Sequence, residues 1–137
     1  VNAADLVGAP FARGGRSLSE GFDCRTLVRF YLVEVLGLAL EADAFWTLDD
    51  LGATQAEAEA FLARHGDEWA EEPVALLERA PAGWVAHQGP TSEGLDHLSV
   101  SIGGGLFLTT ARSTGAVIVP ARRLTRVRRL FRYARQR

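Results

Sequence analysis

Gly21-Phe22-Asp23-Cys24-Arg25-Thr26-Leu27-Val28-Arg29-Phe30 carries the only cysteine of the chain out of a turn and directly into its most apolar segment. Between Leu27 and Leu36 eight of ten residues are apolar, and a helix that is apolar on nearly every side belongs in the interior of a domain. Asp23 is a good N-cap and Gly37 a good C-terminal stop, so the pattern predicts a core helix over residues 23–37 with Cys24 in its first turn. In that turn the positive end of the helix dipole and the unsatisfied backbone N–H groups favour a thiolate over a thiol. Position alone leaves two readings of Cys24 open: an activated nucleophile, or a small buried hydrophobe, as free cysteines commonly are.

Upstream of the helix, a short helix is expected at Ala3 to Val7. Gly8, Pro10, Gly14 and Gly15 then interrupt regular structure, which leaves residues 1–22 as an approach to Cys24. Downstream, Gly37 to Asp50 is a mixed connector holding Phe45 and Trp46. Thr54 and Glu57 form a capping box that predicts a surface helix over residues 54–66. From Pro73 onward the pattern changes to short β-like runs, a sheet region spanning residues 73–137. Val74 to Leu77 and Trp84 to Ala86 read as strands around an Ala80-Pro81-Ala82-Gly83 turn, and His87 as a loop residue. His97 to Ile102 alternates, with His97, Ser99 and Ser101 on one face and Leu98, Val100 and Ile102 on the other. Gly103 to Gly105 turn this strand into a partner at Leu106 to Thr110, and Ala116 to Val119 is a further strand stopped by Pro120. The run from Leu124 to Tyr133 fits a helix at positions 124, 127, 131 and 134, or a strand at 127, 131 and 133. Helices followed by strands suggest an α+β class, and 137 residues suit one domain.

With 47% apolar and 23% charged residues the composition is that of a globular protein. No run of about 18 apolar residues is present, so no membrane span is expected. The first residues do not read as an export signal. A single cysteine rules out an internal disulfide and a cysteine-rich metal site. The net charge of −2 hides an asymmetry: all 17 acidic residues lie at or before Asp96, while eight of the 15 arginines lie in residues 121–137. A basic end of this kind suits a nucleic acid, an acidic partner or the acidic body of the same chain. Because Leu124, Val127, Leu130, Phe131 and Tyr133 interleave the arginines, a packed element with a solvated arginine face is favoured over a free nucleic-acid-binding arm.

One constellation in the sequence has the parts for nucleophilic catalysis: Cys24 at the start of the core helix and His97 at the start of a strand. A thiolate attacks a carbonyl, an imidazole takes and returns the proton, and a third polar group orients the ring. Ser99 and Ser101, small and on the same side as His97, are expected to let the helix pack close to that face. The competing reading of His97 is an ordinary surface histidine at a strand end.

Gly8-Ala9-Pro10-Phe11, Gly14-Gly15, Gly21-Phe22-Asp23-Cys24, Leu27-Val28, Asp96-His97 and Gly103-Gly104-Gly105-Leu106-Phe107-Leu108, in this order and spacing, resemble the NlpC family of papain-like cysteine peptidases. The likeness is greatest to the branch found in phage tail tips as cell-wall peptidases. The resemblance implies a papain-like α+β fold, with the cysteine-bearing helix packed on a five- or six-stranded antiparallel sheet, and it favours the strand reading of residues 126–133. It also implies cleavage of peptide bonds in peptidoglycan stem peptides, with Cys24 as nucleophile, His97 as general base and then acid, and no metal or organic cofactor. The third polar position of the family falls on Thr109. Phe11, Asp23 and Arg25 fall along the substrate groove, with Phe11 where the family commonly has tyrosine and Arg25 and Thr26 where small residues often follow the cysteine. The partners implied are other phage tail proteins and the peptidoglycan peptide, and the location implied is a virion tail assembled in the host cytoplasm. The alternative is a structural tail-tip hub protein that keeps the fold with weakened or absent catalysis.

Overall fold

The Asp23 carboxylate starts the helix on which the fold is built. Its Oδ1 accepts from the backbone N–H groups of Arg25 and Thr26, both at 2.9 Å, and the Thr26 hydroxyl accepts in return from the Asp23 N–H at 3.0 Å, a reciprocal capping box. In the computed structural model, which describes residues 1–40, 63, 68–89 and 97–134, the short helix α1 spans Ala3–Leu6 and the core helix α2 spans Cys24–Phe30. Helix α2 runs on into a wide π-helical turn at Tyr31–Val35 rather than continuing as regular α-helix. Gly37, at φ 72°, ends it, with the Leu38 N–H donating to the Leu32 carbonyl. Leu27, Val28 and Leu32 are fully buried, and burying each such side chain is worth about 1.5–3 kcal/mol. None of the described helices is long and apolar enough to cross a membrane.

The approach to Cys24 is more ordered than its glycines suggest. Strands β1 (Arg16–Ser17) and β2 (Gly21–Phe22) form a two-stranded antiparallel ribbon, and Phe11 bridges to Phe22 beside it. At Gly21, φ is 95° and an added Cβ would collide with the Pro10 carbonyl, so only glycine fits there. The Gly14 N–H donates to the second Asp23 carboxylate oxygen at 2.8 Å, tying the loop to the helix cap.

The main sheet is antiparallel throughout, with spatial order β3-β8-β4-β5-β6-β7. Its strands are β3 (Trp69–Glu72), β4 (Val85–Gln88), β5 (His97–Gly103), β6 (Leu106–Ala111), β7 (Gly115–Pro120) and β8 (Val127–Tyr133). Gly103, Gly104 and Gly105 all take positive φ in the turn between β5 and β6, as that tight connection requires. On one face Leu98, Val100, Leu108, Ala116 and Phe131 pack with Leu27, Val28, Tyr31 and Leu32 of the helix. On the other face Ala86, Phe107 and Leu130 pack with Ala80, Ala121, Leu76 and Leu77.

Several expectations change. Val74–Arg79 is a 3-10 helix and not a strand, and the first sheet strand lies just before it at Trp69–Glu72, so the sheet region begins at residue 69. Pro73 has no N–H for a ladder, and its carbonyl instead accepts from the Leu76 N–H, turning Leu76 and Leu77 onto the second face. His87 is not a loop residue: it lies inside β4, opposite Leu98, and is 1% exposed. The terminal run is a strand, β8, and two of its arginines pair with the acidic body. Arg132 Nε lies 2.7 Å from Glu72 Oε2, and Arg129 Nε 3.9 Å from Glu71 Oε2. The helix expected over 54–66 lies outside the described residues apart from Ala63, which is helical, and the Phe45-Trp46 connector lies outside them altogether.

Candidate active site

Cys24 is the first residue of α2 and is 6% exposed. Its helix lies across β5 and β6, the two strands that carry His97 and Thr109. The packing face is not the expected one. Leu98, Val100 and Leu108 meet the helix, while Ser99 and Ser101 look the other way; Ser101 Oγ donates to the Ala80 carbonyl at 2.8 Å. The alternation of Leu98, Val100 and Ile102 with Ser99 and Ser101 holds, but apolar side chains cover the helix because they lose water at no polar cost, whereas the serines need partners that the second face supplies.

His97 opens β5 and is partly exposed, and its Nε2 lies 2.8 Å from Thr109 Oγ1. The structure therefore joins two of the three residues assigned to catalysis. Thr109 Oγ1 is also 3.0 Å from Ser99 Oγ, which lies 2.5 Å from Gln88 Oε1. Gln88 Nε2 in turn donates to the Thr125 carbonyl at 2.9 Å. Gln88 and Ser99 were not singled out as site residues in the sequence. Ser99 registered only as a small residue beside His97, and the sole signal for Gln88 is that β4 pairs it directly with His97.

The residues assigned to the groove sit differently from one another. Phe11 is half-buried, with the Arg112 guanidinium 5.7 Å from its ring centroid, a cation–π distance. Asp23 and Arg25 are 6% and 3% exposed. The Asp23 carboxylate is engaged with three backbone N–H groups, which makes it the clamp between approach loop and helix. A cavity of about 500 Å³ opens beside His97 and Thr109, walled also by Gln88, Thr114, Arg123 and Arg126; Cys24 is not part of its wall. Among the described residues no group of three His, Cys, Asp or Glu side chains is placed to hold a metal ion.

The fold matches the solved NlpC/p60 domain of the peptidoglycan hydrolase SagA with a TM-score of 0.59 over 93% of this chain and 90% of that one, at 19% identity. The chain has the NlpC/p60 fold. In sequence it is 27% identical over 117 residues to the Gamma-DL-glutamyl hydrolase of Bacillus subtilis (strain 168), which covers 85% of this chain but only 23% of that protein. The chain thus spans about a quarter of the length of this relative. No protein-family model matches it.

Proposed function

We propose that the chain is a cysteine peptidase that hydrolyses amide bonds in peptidoglycan stem peptides. The observation that carries the proposal is the His97–Thr109 pair, set on the strands against which the Cys24 helix packs. In the reaction Cys24 Sγ attacks the scissile carbonyl carbon while His97 takes the thiol proton, giving a tetrahedral oxyanion to which the Cys24 backbone N–H, in the first turn of the helix, contributes a hydrogen bond. The C–N bond then breaks, His97 protonates the departing amine, and an acyl-thioester remains. Water, deprotonated by His97, attacks this thioester and regenerates the thiol. The fold match to a peptidoglycan hydrolase domain and the sequence likeness to a glutamyl hydrolase support an amide substrate of this kind.

The order of motifs in the sequence supports a setting in a phage tail tip, assembled in the host cytoplasm with other tail proteins. A second reading, a tail-tip hub protein with weakened catalysis, is favoured by one feature: the orienting group on His97 is a neutral threonine. Incubating the protein with purified muropeptides and following products by mass spectrometry separates the two. Amide cleavage in the wild type, lost in Cys24→Ala, is expected. Intact muropeptides at enzyme concentrations that approach the substrate would leave the structural reading standing.

A further inference from the structure

The basic end of the chain splits into two groups of arginines. Arg129 and Arg132 lie in β8 beside Glu71 and Glu72 of β3. Arg123 and Arg126 instead stand in the wall of the cavity of about 500 Å³ that opens at His97 and Thr109, and no Asp or Glu is among the described residues of that wall. The size is ordinary for a small-molecule site. Val119 and Leu124 give the cavity an apolar patch, and Thr114 and Thr125 add hydroxyl groups. Two guanidinium groups and hydroxyls beside an apolar patch match a carboxylate carried on a short aliphatic stem.

The catalytic roles decide which half of the substrate comes here. Cys24, which keeps the acyl half as a thioester, is not in the wall, whereas His97, which hands a proton to the departing amine, is. The cavity therefore lies on the side of the scissile bond that the amine half occupies. We propose that it is the subsite for that half, with Arg123 and Arg126 receiving a carboxylate, so that the preferred substrate bears a free acid on the residue whose amine is released. This deepens the peptidase reading and rests on it for the identity of the ligand.

The backbone holds both arginines in place. A 3-10 turn at Ala121–Arg123, anchored by the Ala121 N–H on the Gly105 carbonyl at 2.8 Å, delivers Arg123 directly after β7. Arg126 is the one non-glycine among the described residues with positive φ, at 52°, a conformation that persists only where the surroundings impose it. Its carbonyl accepts from the Gly89 N–H at 3.1 Å, and the Thr125 carbonyl before it accepts from Gln88 Nε2 at 2.9 Å. The end of β4 thus pins the turn into β8 by two successive carbonyls. An arginine at a position where glycine would sit without strain points to a use for its side chain.

The test uses two synthetic stem peptides that share the scissile amide and differ only in whether the residue on its amine side ends in a free carboxylate or in a carboxamide. The wild type is expected to favour the free acid by roughly tenfold in kcat/KM, through KM, and by less as salt is added. Arg123→Gln combined with Arg126→Gly, the glycine being at ease at positive φ, should bring that ratio to about one. Arg122→Gln, which removes a neighbouring charge from outside the wall, should keep it. A wild type that cleaves both peptides equally well, or a ratio that survives the double variant or falls as far in Arg122→Gln, overturns the inference and leaves the peptidase reading intact. Calorimetric binding of both peptides to Cys24→Ala gives the second readout. If the wild type cleaves neither peptide, tighter binding of the free acid that is lost in the double variant would uphold the subsite and reject the peptidase reading, and equal binding of the two would overturn both.

Discussion

The two faces of the β5–β6 hairpin have opposite tasks. Toward α2, Leu98, Val100 and Leu108 are all fully buried among apolar side chains. Away from it, Ser99, Ser101 and Thr109 are each bound to a polar partner, and Thr109 meets His97 where the strand begins. The first face holds the cysteine helix in place, and the second sets the histidine. Stability and chemistry are thus separated by a single residue step along one strand, and substitutions on alternate positions should move different observables.

The largest effect is expected on the apolar face. Leu108→Ala removes a fully buried side chain under the helix and should cost about 2–5 kcal/mol of unfolding free energy, read by denaturant titration. Its neighbour offers the contrast. Thr109→Val keeps the shape but removes the hydroxyl that meets His97, and should lower kcat/KM by roughly tenfold to a hundredfold while stability changes by about 1 kcal/mol. If Thr109→Val unfolds the protein, or Leu108→Ala leaves its stability untouched, the division of labour between the faces is wrong. Smaller still is the pairing of the basic end with the acidic body. Arg132→Ala breaks a partly exposed ion pair with Glu72 and should cost less than about 1 kcal/mol, a loss that shrinks further in salt. A loss of several kcal/mol that is indifferent to salt would mean that β8 depends on this pair rather than on Leu130 and Phe131.

The smallest effect is a titration. Burial raises the Tyr31 phenol above its ordinary value of 10.0 by disfavouring the phenolate. The folded state therefore holds its proton more tightly than the unfolded state, and the associated stability is complete below pH 10 and is lost as pH rises through the folded value. Ultraviolet titration of the native protein should show one tyrosine ionising late, and that late phase should be absent from Tyr31→Phe.

Much of this arrangement was legible in the residues. Asp23 as a cap, Gly37 as a stop and the triple-glycine hairpin turn are local signals, decided by a few neighbouring backbone groups, and each appears where it was read. The face on which the helix packs was not legible, because alternation shows that Leu98 and Ser99 part ways but not which of them meets the helix. Val74 to Leu77 misled because a short apolar run is equally compatible with a strand and a helical turn; Pro73 decided for the turn. His87 next to Gln88-Gly89-Pro90 looked like loop, yet long-range pairing with Leu98 and Arg129 carries β4 through it. The chain from Thr109 to Thr125 depends on pairings 10 to 37 residues apart, and no local pattern announces it.

The central claim is that Cys24 and His97 act as a thiolate–imidazole pair, and alkylation of Cys24 by a small haloacetamide across pH tests it most directly. With one cysteine in the chain every adduct reports the same sulfur. Reactivity that persists well below pH 8.5, about where a free thiol ionises, and that disappears at low pH in His97→Ala, is the expected result. A sulfur that reacts only near or above that pH in both proteins, or that fails to react until the protein unfolds, would contradict the account.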